Sequence, residues 1–170
     1  MTLDFRSQLV ALLPRLRRFA LGLTASRDEA DDLVQAACEK ALVKQDQWQP
    51  DTRLDSWLYR IIQTQRIDHL RRAKRSPVSV PENAMPDLED AQSADRAENE
   101  DLLRHTLKAL EQLPEEQRAV MLLVVVEGHS YREVAEQLGI PQGTVMSRLA
   151  RARLRVQELL APTEQANEQP

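Results

Sequence analysis

The sequence is short of the residues that cross-link, punctuate or span. It has one cysteine, Cys38, so an internal disulfide is excluded and a reducing cytoplasm is the expected home. Cys38 itself reads as a small core residue on a helix. Only four glycines occur in 170 residues and aromatics make up 4%. That leaves little material for tight hairpins, and no run of alternating polarity suggests a strand. No apolar stretch approaches the roughly 18 residues of a membrane span. The opening residues, Met1 to Arg6, lack the basic-then-apolar order of a signal peptide. A cytoplasmic chain without membrane insertion is expected. His69, His105 and His129 are scattered, with no second ligand at metal spacing. With no glycine-rich phosphate loop, metal cluster or triad candidate, an enzyme is the least favoured class, and no cofactor or metal is expected.

What remains is rich in good helix formers, with Leu, Ala, Glu, Arg and Gln prominent and 42% of residues apolar. The fold class is therefore all-α. The net charge of −4 is unevenly placed. Residues 1–75 hold fourteen Lys and Arg against ten Asp and Glu, residues 76–100 one against seven, and residues 101–170 eight against ten. An acidic middle segment thus separates two parts with local basic clusters. Pro77, Pro81 and Pro86 interrupt helical periodicity there. The organisation expected is an N-terminal helical domain over 1–75, an extended acidic linker over 76–99, a second helical domain over 100–161, and a frayed tail over 162–170.

In the first part, Leu9, Leu12, Leu13, Leu16, Phe19, Ala20 and Leu23 form a helical stripe, with Pro14 starting or kinking a helix. Ser26 and Glu29 are spaced as a capping box, with Asp28, Asp31 and Asp32 adding acid to the next helix start. That helix runs to about Lys44, burying Leu33, Ala37, Ala41 or their neighbours. A polar loop carries Trp48, the aromatic expected to be most exposed. A third helix, 54–74, turns Trp57, Leu58, Ile61 and Ile62 inward. Between residues 60 and 75 it carries Arg60, Arg66, Arg71, Arg72, Lys74 and Arg75 against Asp68 alone. A basic helix beside aromatic residues suits single-stranded DNA, whose phosphates need neutralising and whose bases need a surface. Asp68 is placed to orient Arg71 or Arg72 one turn away.

In the second part, Leu103, Leu107, Leu110 and Leu113 share a face, and Pro114-Glu-Glu reads as a helix start. The apolar run from Ala119 to Val126 predicts a central helix ended by Gly128. Ser130 and Glu133 form another capping box. Tyr131, Val134, Ala135 and Leu138 make an apolar face, and Gly139 is placed for a left-handed exit. After Ile140-Pro-Gln-Gly, a helix from about Thr144 buries Val145, Leu149, Ala152 and Val156. Length, turn chemistry and apolar spacing together predict a helix-turn-helix over about 131–150. At 100° per residue, Thr144, Ser147 and Arg151 lie opposite Leu149, with Arg148 and Arg155 on a flank. Such side chains reach base edges or phosphates in a major groove.

Three blocks carry a resemblance to extracytoplasmic-function sigma factors. Leu113-Pro-Glu-Glu-Gln-Arg, Val126-Glu-Gly-His-Ser-Tyr-Arg-Glu-Val-Ala and Gly143-Thr-Val-Met-Ser-Arg-Leu-Ala-Arg-Ala-Arg resemble that family's C-terminal domain, which reads the −35 box. Asp28-Glu-Ala-Asp-Asp-Leu-Val-Gln resembles its polymerase-docking helix. Asp55-Ser-Trp-Leu-Tyr-Arg-Ile-Ile through Ile67-Asp-His-Leu-Arg-Arg resembles its −10 helix. The resemblance implies core polymerase contacts at Asp31, Asp32, Gln35 and Glu39. It implies −10 contacts among Trp48, Arg60, Gln63, Thr64, Arg66, His69, Arg71 and Arg72. It implies −35 contacts among Gln142, Thr144, Met146, Ser147, Arg148, Arg151 and Arg155. The partners implied are core RNA polymerase, promoter DNA and an anti-sigma protein, with the free chain monomeric. The linker would hold the domains apart on polymerase.

The chain departs from the family pattern at Ala36, where Glu is usual, at Gln63-Thr64, where Arg-Asn is common, and at Met146, in place of Lys or Arg. A methionine makes no bidentate contact to guanine. Two other non-enzyme functions compete. A free-standing helix-turn-helix regulator would normally dimerise over two half-sites, yet no heptad seam is present. A sigma-like decoy would usually carry a receiver domain, for which 170 residues leave no room.

Overall fold

The computed structural model describes residues 4–75 and 94–161, and every regular element among them is helical. Seven α-helices follow in order: α1 (Phe5–Thr24), α2 (Arg27–Val43), α3 (Leu54–Arg75), α4 (Ala94–Glu111), α5 (Glu115–Met121), α6 (Tyr131–Leu138) and α7 (Gln142–Leu160). A 3₁₀ turn, Gln45–Gln47, follows α2, and one π-helical turn, Leu122–Val126, extends α5.

Local chemistry sets most helix ends. Asp4 caps α1 by accepting from Ser7 N at 2.8 Å. Pro14 lies inside that helix, so the stripe from Leu9 to Leu23 is one element. Ser26 accepts from Glu29 N, giving α2 one half of the expected box. At α6 both halves form: Ser130 Oγ accepts from Glu133 N, and Ser130 N donates to the Glu133 carboxylate at 2.8 Å. Gly139 leaves α6 at φ 66°, the left-handed exit that costs glycine little.

The N-terminal half packs α1 on α2 and α3, burying Leu16, Phe19, Leu23, Leu58 and Ile62 completely. Each such side chain contributes about 1.5–3 kcal/mol of transfer free energy. In the C-terminal half α5 and α6 pack on α7 around Val120, Leu123, Val134, Val145 and Leu149. The two halves also share one apolar core, because α1 lies against α4, α5 and the π-helical turn, and α3 lies against α6. Gly22 permits that approach: a Cβ there would stand 2.5 Å from Leu122 Cδ2.

Several expectations need correction. The expected linker ends too late, since α4 already starts at Ala94; residues 76–93 lie outside the described residues, as does the tail beyond Ala161. Leu103 is exposed at 38%, because α4 buries Leu107, Ala109 and Leu110 instead. On α2 the open choice between Leu33 and its neighbours falls to Val34, which is buried while Leu33 is half-buried. The run ending at Val126 is not central throughout. The π-helical turn rotates Val125 and Val126 outward, to 50% and 42% exposure. Tyr131 sits at the rim of the α6 face, not within it.

Candidate functional site

Helix α7 presents a polar N-terminal face away from the core. Val145, Leu149 and Ala152 are buried, which leaves Gln142, Met146, Ser147 and Arg151 exposed and Thr144 at the margin. Arg151 makes no ion pair among the described residues, so its guanidinium is available to an external acceptor. Met146 stands 54% exposed in the first turns. The flank is partly neutralised within the chain. Arg148 is half-buried and meets Glu116 at 3.2 Å, while Arg155 meets Glu158 at 3.2 Å.

Helix α2 turns Ala30, Val34, Ala37 and Ala41 inward. Asp31, Asp32, Gln35 and Glu39 are consequently all exposed, with Gln35 Nε2 donating to Glu39 at 3.2 Å. Asp31 also lies 3.7 Å from Arg17. Cys38 is half-buried, and its burial raises the thiol pKa, as expected for an inert packing residue.

The basic end of α3 is less uniform than its composition implied. Arg60, Thr64, His69, Arg71 and Arg72 are exposed, and Asp68 lies 3.9 Å from Arg71. Arg66 is largely covered, bound to Glu115 at 3.2 Å and Glu29 at 3.4 Å. A groove of about 400 Å³ runs between α2 and α3, bringing Asp32 and Lys40 beside Arg66, His69 and Arg72. Trp48 is not a freely exposed aromatic. The 3₁₀ turn folds the loop back on α1, so the indole lies half-buried, 5.7 Å from the Phe5 ring. Trp57 packs 6.2 Å from the same ring. Trp48 Nε1 and Gln63 Oε1 are buried without hydrogen-bond partners among the described residues, an unmet demand worth about 1–3 kcal/mol each.

The densest polar cluster was not anticipated from sequence. It lies where the two halves meet. The Glu127 side chain is fully buried, and its carboxylate accepts from Arg18 Nε and Nη2 at 3.0 Å each, from Arg15 Nε at 3.2 Å and from Tyr59 Oη at 2.6 Å. Beside it Asp55 accepts from Arg53 at 2.7 and 3.1 Å and from Ser56 N at 2.8 Å. It also meets Arg15 at 3.2 Å and buried His129 at 3.7 Å. Arg53 extends to Glu133 at 2.6 Å. Burial pushes the Glu127 carboxyl up, but the bonds from Arg18 and Tyr59 outweigh it, and the net direction is down. Asp55 follows the same balance, with His129 and Arg53 holding it well below the usual range. Glu133 falls to about 2 through Ser130 N and Arg53. Burial and Glu127 together raise the Tyr59 phenol. A second unanticipated group is Arg118, buried with Nη1 on Leu23 O at 2.5 Å and Nη2 on Glu111 O and Leu113 O at 2.6 and 3.1 Å. It ties the end of α1 to the α4–α5 junction.

Among the described residues no helix is long and apolar enough to cross a membrane. Comparison with known proteins gives consistent relatives for this arrangement. Residues 104–156 match the family Sigma-70, region 4, and residues 9–63 match the Sigma2 domain of PhyR. The chain is 34% identical over 161 residues to the ECF RNA polymerase sigma factor EcfG of Rhodopseudomonas palustris (strain TIE-1), covering 94% of this chain and 87% of the relative. It is 36% identical over 146 residues to the ECF RNA polymerase sigma factor SigM of Mycobacterium tuberculosis, covering 86% and 71%. Its fold is similar to the sigma factor RpoE of Bartonella quintana, solved in complex with the anti-sigma factor NepR. The TM-score is 0.77 at 33% identity, over 92% of this chain and 96% of that one.

Proposed function

The chain belongs to the extracytoplasmic-function (ECF) RNA polymerase sigma factors, and from that footing we propose that it is a dissociable promoter-specificity subunit acting in the cytoplasm. It binds core RNA polymerase through the exposed face of α2, namely Asp31, Asp32, Gln35 and Glu39. It reads the −10 region with the exposed part of α3, and the −35 box with the N-terminal face of α7. An anti-sigma protein controls it, as NepR and RpoE form a complex in Bartonella quintana. The relatives are transcription-initiation factors rather than enzymes.

The observation that carries this reading is the outward polar face of α7, with Arg151 and Ser147 open to an external partner, on a helix-turn-helix that matches Sigma-70 region 4. Arg151 offers two donors to guanine O6 and N7, and Ser147 serves a base or a phosphate one turn before it. Among the flanking arginines, Arg155 contacts phosphate by exchanging Glu158 for the DNA backbone.

The packed halves add a requirement. Boxes 25 positions apart at about 3.4 Å per base pair lie roughly 85 Å apart, whereas a compact chain of this length has a radius of gyration of about 15 Å. The halves must therefore part before both boxes are read, and docking on polymerase is the event that separates them. Co-elution tests the reading. The purified chain should comigrate with core polymerase, and the complex should retain a promoter fragment only when its upstream box is intact. A chain that ignored polymerase and bound paired half-sites as a dimer would overturn it.

A further inference from the structure

Promoter contacts on the N-terminal half were assigned to α3 and the preceding loop, but the strongest anion-binding geometry lies elsewhere, on α1 and at the start of α3. There Arg15, Arg18, Arg53 and Tyr59 converge on carboxylates that come from the C-terminal half. Arg18 is bidentate, its Nε and Nη2 each 3.0 Å from a different oxygen of Glu127. This two-oxygen fork accommodates a phosphate as well as a carboxylate. Arg15 Nε and the Tyr59 hydroxyl both donate to one of those oxygens, Oε2, and Arg53 holds Glu133 beside it at 2.6 Å.

When the halves part, Glu127, Glu133 and His129 leave with the C-terminal half. The N-terminal half is then left with Arg15, Arg18 and Arg53 facing Asp55 as the acid of the cluster, an excess of two positive charges. The ring of Tyr59, covered by His129 at 5.4 Å in the closed chain and backed by Phe19 at 4.8 Å, becomes accessible on that side. Tyr59 lies on α3, the helix that carries the basic residues from Arg60 to Arg75. Arginines around an aromatic ring are the composition of a single-strand surface.

We propose that Arg15, Arg18 and Arg53, with the Tyr59 hydroxyl, form a backbone-phosphate site for single-stranded promoter DNA, and that Glu127 and Glu133 occupy it as internal phosphate mimics in the closed chain. The inference rests on the reading of the chain as a sigma factor whose halves separate on polymerase. It adds a DNA-binding site, and it couples that site to closure: the carboxylates that seal the closed form are the competitors DNA must replace.

The test has two arms, both on the full chain. In the first, a fluorescent dT20 oligonucleotide is titrated with the free protein. Glu127→Gln/Glu133→Gln keeps shape and the α6 capping geometry while removing both charges. It is expected to bind at least about tenfold more tightly than the parent. Adding Arg15→Gln/Arg18→Gln should return the affinity to the parental level and lower the salt slope by about 1.4, at roughly 0.7 per single-strand phosphate contact. A gain that survives the arginine changes, or one displaced equally by polyglutamate, overturns the DNA assignment.

The second arm does not depend on the carboxylate variant opening the chain. Holoenzyme carrying Arg15→Gln/Arg18→Gln should take up core polymerase normally but bind a promoter with a single-stranded −10 region far more weakly, by about 100-fold at low salt. Arg15→Lys/Arg18→Lys should recover most of the loss, because charge is retained. Unchanged promoter binding by the glutamine holoenzyme overturns the proposal, as does a loss of core binding in its place. If the parental chain forms no holoenzyme at all, the sigma-factor reading fails instead, so the two failures are distinguishable.

Discussion

Replacing Arg118 by Met isolates one buried group that holds two helix ends and one inter-half contact. The side chain is 6% exposed and its guanidinium gives three hydrogen bonds to main-chain carbonyls, at Leu23, Glu111 and Leu113. The Leu23 and Glu111 oxygens lie in the last turns of α1 and α4, where no intrahelical donor remains, and Leu113 lies in the α4–α5 junction. Methionine fills most of the volume but offers no donor, so the cost is that of stranding buried carbonyls, about 1–3 kcal/mol each before relaxation. Water will reach the Glu111 oxygen, the least enclosed of the three, so the net loss should be about 3–5 kcal/mol, or roughly 6–20 °C in Tm for a chain of this size. Arg118→Lys, with one compact ammonium, should fall between the two. Urea unfolding followed by circular dichroism gives the number. A loss below about 1 kcal/mol for Arg118→Met would refute the view that this arginine is a shared cap.

Replacing Asp32 and Gln35 by Ala should weaken binding to core polymerase with an unchanged circular dichroism spectrum, because both are exposed; equal affinity by competition would remove α2 from the docking surface. Arg151→Ala should alter which upstream sequence the holoenzyme prefers, at about 1–3 kcal/mol for a lost base contact. Arg155→Ala should instead weaken all variants alike and lower the salt slope by about one; single-base promoter variants at two salt concentrations separate these outcomes. Asp55, Glu127 and Glu133 all have lowered folded-state pKa values. Their stabilisation is thus complete above the ordinary carboxylate range near 4.5 and lost as pH falls through the folded values, about 2 for Glu133. Urea midpoints should be level from pH 7 to about 5 and fall below it, and a midpoint that rises on acidification would contradict the network.

Legibility in the sequence followed the range of the interactions. Local signals were readable: the Ser130 and Glu133 box, the left-handed Gly139 and the buried spacing of Val145, Leu149 and Ala152 all depend on residues within two turns of one another. The exposed face of α2 followed from its small buried residues for the same reason. The network around Glu127 did not, because its partners lie 68 to 112 residues away and no periodicity relates them. Glu127 merely ends an apolar run, and Arg15 and Arg18 are two cations on a helix that is otherwise plainly amphipathic. The burial of Trp48 is not legible because a 3₁₀ turn, which has no strong sequence signature, decides whether the loop folds back on Phe5. Leu103 reads as part of one leucine stripe, whereas the buried face of α4 uses Ala109.

The most direct test of the central claim is run-off transcription by core RNA polymerase supplied with the purified chain and a library of promoters. Transcripts are expected from a subset sharing an upstream and a −10 element, with the upstream preference altered by Arg151→Ala. No transcript above core polymerase alone from any promoter, by a chain that nonetheless binds core, would contradict it.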